Sequence, residues 1–174
     1  HILLENGETL AFDVCIWAGG FIAPSLAQEA GLRCNEVNQV WVDPCLHPHD
    51  HDDIYIVGDA MIPEVQPGSP TRMSVMVAMV SGAHTADNLA RRLRDKAEKP
   101  MSFAYYGQGI AMGTRDAVGF MTYPADGVVG PILRRKLAVG VRNFFVWLLA
   151  FFLLVEKRIP GAFIWFGRGR YRSQ

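Results

Sequence analysis

The chain has 174 residues, half of them apolar, with seventeen basic and seventeen acidic side chains and therefore no formal net charge. That length buries one sizeable core or slightly more, and the neutral balance argues against nucleic acid as a partner. The neutrality conceals a division: residues 1–131 carry eight Lys or Arg against sixteen acids, whereas residues 132–174 carry nine against Glu156 alone. A basic tail on an acidic body points to an anionic surface, with a bilayer as the first candidate.

The first residue is His1, not Met, and no signal peptide is visible, so the chain is expected to be part of a longer polypeptide. Residues 2–4 and 9–17 predict a β-hairpin about Asn6-Gly7, with Leu10, Phe12, Val14 and Ile16 alternating before Trp17. Ser25 is placed to cap a short helix over 26–30 that Gly31 ends. Val40-Trp41-Val42 predicts a strand, and Asp43-Pro44 a turn away from it. Cys15, Cys34 and Cys45 form no Cys-x-x-Cys pair, which suits structural thiols of a reducing compartment.

Residues 46–53 alternate His47, His49 and His51 with Asp50, Asp52 and Asp53. On an extended segment alternate histidines share a side, so a three-imidazole metal site is sterically conceivable. Pro48 breaks regular geometry and no fourth ligand stands at a fixed spacing, so a solvated polar loop is the preferred reading and no metal ligand is assigned. Residues 54–57 then predict a buried strand ending in Gly58-Asp59-Ala60. A glycine at a strand's carboxyl end admits a ligand close to the backbone, and Asp59 is an acceptor suited to sugar or ribityl hydroxyls. A strand followed by a plain acidic turn is the competing reading.

Residues 61–69, with Pro63, Pro67 and Gly68, predict an irregular loop, after which Ser69 and Pro70 are placed to start a helix over 71–94. Its first half, with Met73, Val75, Met76, Val77, Met79 and Val80, should be buried. Its second half narrows to a stripe of Ala83, Ala86, Leu89, Ala90 and Leu93, with Asp87, Arg91, Arg92 and Arg94 turned to water.

The charged stretch 96–100 reads as a linker, and strands are predicted over 103–106, 110–112 and 117–122. Gly107, Gly109 and Gly113 mimic a nucleotide-binding loop, but no helical pattern follows them, which favours glycines in hairpin turns. Residues 144–155 are twelve uninterrupted apolar residues, and with 137–141 the stretch reaches nineteen around Arg142 and Asn143. Twelve helical residues span about 18 Å, short of a hydrocarbon core of about 30 Å. A buried globular helix, a spanning helix with Arg142 snorkelling, and an in-plane or dipping helix all compete. The last is preferred, because Arg134-Arg135-Lys136 and Lys157-Arg158 flank it and Trp147, Trp165 and Tyr171 supply interfacial aromatics. Residues 159–166 would add a second apolar contact.

The strand, the Gly58-Asp59-Ala60 turn, the loop and the Pro-capped helix resemble the second flavin-binding element of FAD oxidoreductases with two dinucleotide-binding domains. Residues 13–20, ending in Ala18-Gly19-Gly20, are similar to the strand and turn by which their NAD(P)H domain returns to the FAD domain. The best match is the branch of type II NADH:quinone dehydrogenases, over residues 13–94. The resemblance implies an α/β fold: the C-terminal part of a FAD/NAD(P)-binding Rossmann-like fold, followed by a small β/helical membrane-associating subdomain. It divides the chain into the end of an NAD(P)H-binding domain (1–22), the C-terminal part of the FAD domain (23–97) and a C-terminal subdomain (98–174).

It also implies FAD as cofactor, NAD(P)H as substrate and a membrane quinone as acceptor. Gly58 and Asp59 would meet the ribityl and pyrophosphate region, and Arg72, Met73 and Ser74 the isoalloxazine, where a helix N-terminus stabilises the reduced ring. Ala18 and Gly19 would approach the cofactor by their backbone. Met73 stands where relatives often carry Gln, which leaves the quinone contacts open. No residue reads as an acid, base or nucleophile, as expected where a cofactor carries the chemistry. The glycine-rich phosphate cradles of the family are not in this sequence and are expected upstream, so the chain alone should be inactive. The membrane surface, met by residues 132–174 on the cytoplasmic face, and a homodimer complete the expected partners. Two alternatives stay open: a soluble FAD-dependent reductase of a small electron-carrier protein, and a membrane or partner docking module without redox activity.

Overall fold

The computed structural model describes residues 1–64, 71–103, 107–122 and 127–159. Strands β1 (Ile2–Leu3) and β2 (Thr9–Leu10) pair antiparallel, with Ile2 opposite Leu10. Gly7, at φ 84°, makes the connecting turn, and the Leu4 amide donates to Glu8 O at 2.8 Å. The hairpin is thus as expected, but β2 stops at Leu10 rather than running to residue 17. Val14, Ile16 and Trp17 are 79–87% exposed, so the alternation that predicts a strand there has no second layer to bury it among the described residues.

Helix α1 (Leu26–Glu29) ends as predicted at Gly31, whose φ of 84° permits a paired cap: Gly31 N donates to Gln28 O and Leu32 N to Ala27 O. Ser25 occupies the cap position, but its hydroxyl donates to Glu29 at 2.6 Å instead of accepting from the backbone.

β3 (Val40–Val42) pairs in parallel with β4 (Met61–Pro63), Val40 lying opposite Met61, so the irregular loop expected from residue 61 starts with a strand instead. These strands bury Val40, Val42, Leu46 and Met61 against Val77 of α2 (Val75–Arg92), with Leu32, Ile56 and Phe103 packed around them. Residues 54–57, predicted as the strand of this region, are extended but outside any ladder. Ile56 N donates to Leu46 O, and Val57 is 36% exposed. The parallel partner of β3 is the segment just after the Gly58–Ala60 turn, because Gln39 fixes that register, donating to both Asp59 O and Met61 O at 3.1 Å.

Helix α2 starts at Val75, not residue 71, with Ser74 as the cap whose Oγ accepts from Val77 N at 3.3 Å. Ser69 and Pro70 lie outside the described residues, and Arg72 and Met73 precede the helix. The inward face of α2 is Val77, Val80, Ser81 and Asn88, so the first half expected to be buried is buried only on that face, and Val75 is 68% exposed. The apolar stripe expected in its second half points outward instead, with Leu89 46% and Leu93 79% exposed. The reason is polar: Asn88 holds the backbone of Lys99 at both ends, donating to its carbonyl at 2.9 Å and accepting from its amide at 3.0 Å. Residues 97–103 are therefore a strap along α2 rather than a free linker.

β5 (Gly107–Ala111), β6 (Ala117–Thr122) and β7 (Val128–Arg134) form an antiparallel sheet in that order, with a register shift between Gly119 and Met121. β6 lies where predicted and β5 is longer, while β7 was not foreseen. Phe103 is not in a strand, and 104–106 lie outside the described residues. Only Gly113, at φ 120°, lies in a hairpin turn as preferred above, whereas Gly107 and Gly109 sit inside β5. At Gly107 a Cβ would stand 2.5 Å from Phe120 O, so the pairing with β6 requires glycine there.

α3 (Arg135–Arg158) is one helix of 24 residues, with a mean hydropathy of 2.1 over its most apolar stretch. At about 1.5 Å per residue it is roughly 36 Å long, enough to cross a membrane by length and composition. Its first turns pack on the three-stranded sheet, burying Ala138, whereas Phe144, Phe145, Val146, Trp147, Leu153 and Leu154 are each more than half exposed. Trp165, Tyr171 and the second apolar contact at 159–166 lie, beyond Ile159, outside the described residues.

Candidate functional site

The turn Gly58–Ala60 is fixed to α2 by one polar and one steric contact. Gly58 is buried at φ 66°, and its N–H donates to Ser81 Oγ at 2.9 Å. Ser81 passes the bond on, donating to Val77 O at 2.7 Å. A Cβ on Gly58 would meet the Ala78 Cβ at 3.3 Å, so glycine is needed here by both backbone sign and space. Close approach of α2 is by itself enough to require glycine at this position. Asp59, next in the chain, is exposed and acceptor-only, with its carbonyl held by Gln39.

Of the residues the sequence singles out, Gly58 and Asp59 stand against the first turns of α2, and Ser74 begins that helix. The first-turn amides of α2 give that end a partial positive charge. Arg72 and Met73 are half-buried in the approach to the cap, so neither lies in the helical first turn as expected. Ala18 and Gly19 lie in the exposed, irregular stretch after β2. The position of a Gly19 Cβ is occupied by the Trp17 indole at 2.6 Å.

The histidines of the 46–53 loop separate. His47 is buried and bonds Ile54 O and Glu98, while His49 contacts Glu64 on the outside and is raised above its ordinary pKa by that hydrogen bond and the nearby carboxylate charge. His51 is exposed. No group of three potential ligands is poised for a metal among the described residues. Asp43, the turn residue, accepts from Cys45 N and His47 N at 2.8 Å each. Burial, with Asp43 and Glu98 nearby, pushes the Cys45 thiol up and keeps it protonated.

Sequence reasoning missed Gln39, Ser81 and Glu98. Ser81, a lone hydroxyl on the apolar face of α2, carried a partial signal: it donates within its own helix to Val77 O, and its lone pairs stay available to a donor from outside. Gln39 and Glu98 carried none, because the contacts that matter, Gln39 to Asp59 O and Glu98 to His47, join residues twenty or more apart.

Residues 1–83 match the family model described as pyridine nucleotide-disulphide oxidoreductase. Over 122 residues the chain is 32% identical to type II NADH:quinone oxidoreductases from two strains of Staphylococcus epidermidis. The aligned part is 67% of this chain, and it spans 29% of the length of those relatives.

Proposed function

With residues 1–83 belonging to the pyridine nucleotide-disulphide oxidoreductase family, we propose that the chain supplies the second flavin-binding element of an FAD-dependent NAD(P)H dehydrogenase whose acceptor is a membrane quinone. The observation that carries this reading is the Gly58-Asp59 turn anchored on α2 through Ser81, with the Asp59 carboxylate outward and the capped helix start nearby. The donor set fits the group: a carboxylate for ribityl hydroxyls and helix amides for the electron-rich edge of the ring. When bound, FAD would take up hydride and pass electrons on in pairs.

The chain's own residues have narrower tasks. Gly58 and Asp59 would hold the ribityl and pyrophosphate part, and Arg72, Met73 and Ser74 would serve the isoalloxazine. Ala18 and Gly19 contribute backbone near the cofactor. In this reading residues 1–22 close the NAD(P)H domain, 23–97 complete the FAD domain and 98–174 form the subdomain that meets the cytoplasmic face of the membrane. The exposed apolar length of α3, bounded by Arg134-Arg135-Lys136 and Lys157-Arg158, supports that last assignment.

The test uses the complete protein. Asp59→Ala is expected to lower bound FAD per polypeptide and NADH-dependent quinone reduction together, with secondary structure by circular dichroism retained. Full occupancy and affinity in that variant would overturn the assignment.

A further inference from the structure

The second half of α2 and the strap 97–103 enclose a cleft of about 410 Å³, within the size range of small-molecule sites. His84, Asp87, Arg91 and Arg94 line it from the helix and the turn that ends it. They recur every three or four residues, which puts them on one face. Lys99 and Pro100 line it from the strap, and Val80 adds an apolar surface.

The cations of this cleft stand on anchored backbone. Arg91 Nε donates to Ala97 O at 2.6 Å, and Lys96 N donates to Arg91 O at 2.9 Å. With Nε spent on the strap, the two terminal nitrogens of the guanidinium remain as donors. Lys99 is held at its backbone by Asn88, and His84 Nε2 lies 2.8 Å from the same Lys99 carbonyl. Among the described residues no carboxylate is within ion-pair distance of Arg91, Arg94 or Lys99. Ser102 also belongs to the lining, and its hydroxyl is shut off from water with no hydrogen-bond partner among the described residues. Such a group is uncommon in a folded chain, and an acceptor brought in by a ligand would satisfy it.

We propose that this cleft binds a phosphate monoester of a small organic molecule, with Arg91, Arg94 and Lys99 on the phosphate and Val80 and Pro100 against the apolar part. Asp87 and the carbonyl end of α2 oppose an anion, but three cations against one carboxylate leave the lining two charges positive. A phosphate monoester carries close to two negative charges and presents three oxygens, whereas a carboxylate brings one charge and two oxygens. The bound molecule bridges helix and strap, so it tightens the strap on α2. None of these residues is assigned to the flavin, and the site stands or falls apart from the redox reading.

The test uses the complete protein with saturating FAD, at constant ionic strength, with phenyl phosphate as probe and benzoate as its carboxylate counterpart. Calorimetric titration should show saturable binding of phenyl phosphate, about tenfold or more tighter than benzoate. Arg94 and Lys99 are exposed, so Arg94→Gln and Lys99→Gln keep the fold, and each should weaken binding about tenfold. Arg92→Gln removes an equal charge outside the cleft, where Arg92 bonds Asp52 O, and should leave the affinity unchanged. With the probe at about ten times its dissociation constant, hydrogen exchange over residues 97–103 should slow roughly tenfold. Benzoate binding as tightly as phenyl phosphate, an equal loss in Arg92→Gln, no saturation up to about 10 mM, or strap exchange that ignores the probe would each overturn the site.

Discussion

Gly58 and Ser81 are 23 residues apart, and the 2.9 Å bond from the Gly58 amide to the Ser81 hydroxyl couples the candidate site to the face of α2. Replacing Ser81 by Ala leaves a buried N–H with no acceptor, which costs about 1–3 kcal/mol. Urea unfolding should show a lower midpoint at an unchanged slope. A change under a few tenths of a kcal/mol would mean that water replaces the hydroxyl.

Gly58→Ala tests the same junction from the steric side. A left-handed alanine costs about 1–2 kcal/mol, and its methyl would press on Ala78 at 3.3 Å. The two substitutions share one contact network, so the double variant should fall short of the sum. Strict additivity in unfolding free energy would show that the turn and the helix are not coupled.

How much of this was legible beforehand depended on the range of each interaction. The Gly31 cap, the Asn6-Gly7 hairpin, the β3 strand and β6 follow from neighbouring residues and stand where the sequence puts them. The start of α2 did not, because Ser69-Pro70 and Ser74 offer similar caps and only the contacts of the helix choose between them. Residues 54–57 have strand composition, but a strand needs a partner on its ladder, and Gln39 gives that pairing to Met61–Pro63. The outward turn of Leu89 and Leu93 was hidden for a similar reason. Asn88 reads as an interruption of a stripe, and its bond to Lys99 is what orients the helix. Of the candidate site, the Gly58-Asp59 turn and its nearness to a helix were readable, while its anchoring by Ser81 and Gln39 was not.

Asn88→Ala should loosen the strap specifically. Asn88 is 1% exposed, and it makes two hydrogen bonds to one exposed backbone unit that water can satisfy when released. The cost is expected at about 1–2 kcal/mol, with faster hydrogen exchange over residues 97–103 and unchanged exchange in β3 and β4. Uniform loss of protection across the chain would instead make Asn88 a core determinant.

The acid limb of stability should carry the mark of Glu98. Its carboxyl is held below the ordinary range in the folded chain, so it binds a proton less readily there than when unfolded. Such a group contributes stability above its unfolded value, about 4.3, and the contribution is lost as pH falls through the lower folded value. Denaturation midpoints should therefore decline below about pH 4.5 in the wild type and decline less steeply in Glu98→Gln. Parallel acid limbs in the two proteins would refute this.

The free part of α3 offers the sharpest test of how the chain meets a membrane. Counting 100° per residue along the helix, Arg135, Arg142 and Lys157 gather on one arc, together with Val146 and Leu153. Phe144 and Phe151 fall on the opposite arc, and all four apolar residues are 45–57% exposed. A helix lying in the interface turns the arginine arc to water, so Val146→Asp with Leu153→Asp should leave the complete protein in the membrane fraction. Phe144→Asp with Phe151→Asp places two carboxylates in hydrocarbon, at about 2.5–3.5 kcal/mol each near the centre of a bilayer and less at its edge. That pair should move most of the protein to the supernatant after centrifugation. Equal release by both pairs would mean that hydrocarbon surrounds the helix on every side and that α3 crosses the membrane. Retention of both would mean that residues 144–155 are not what holds the protein there.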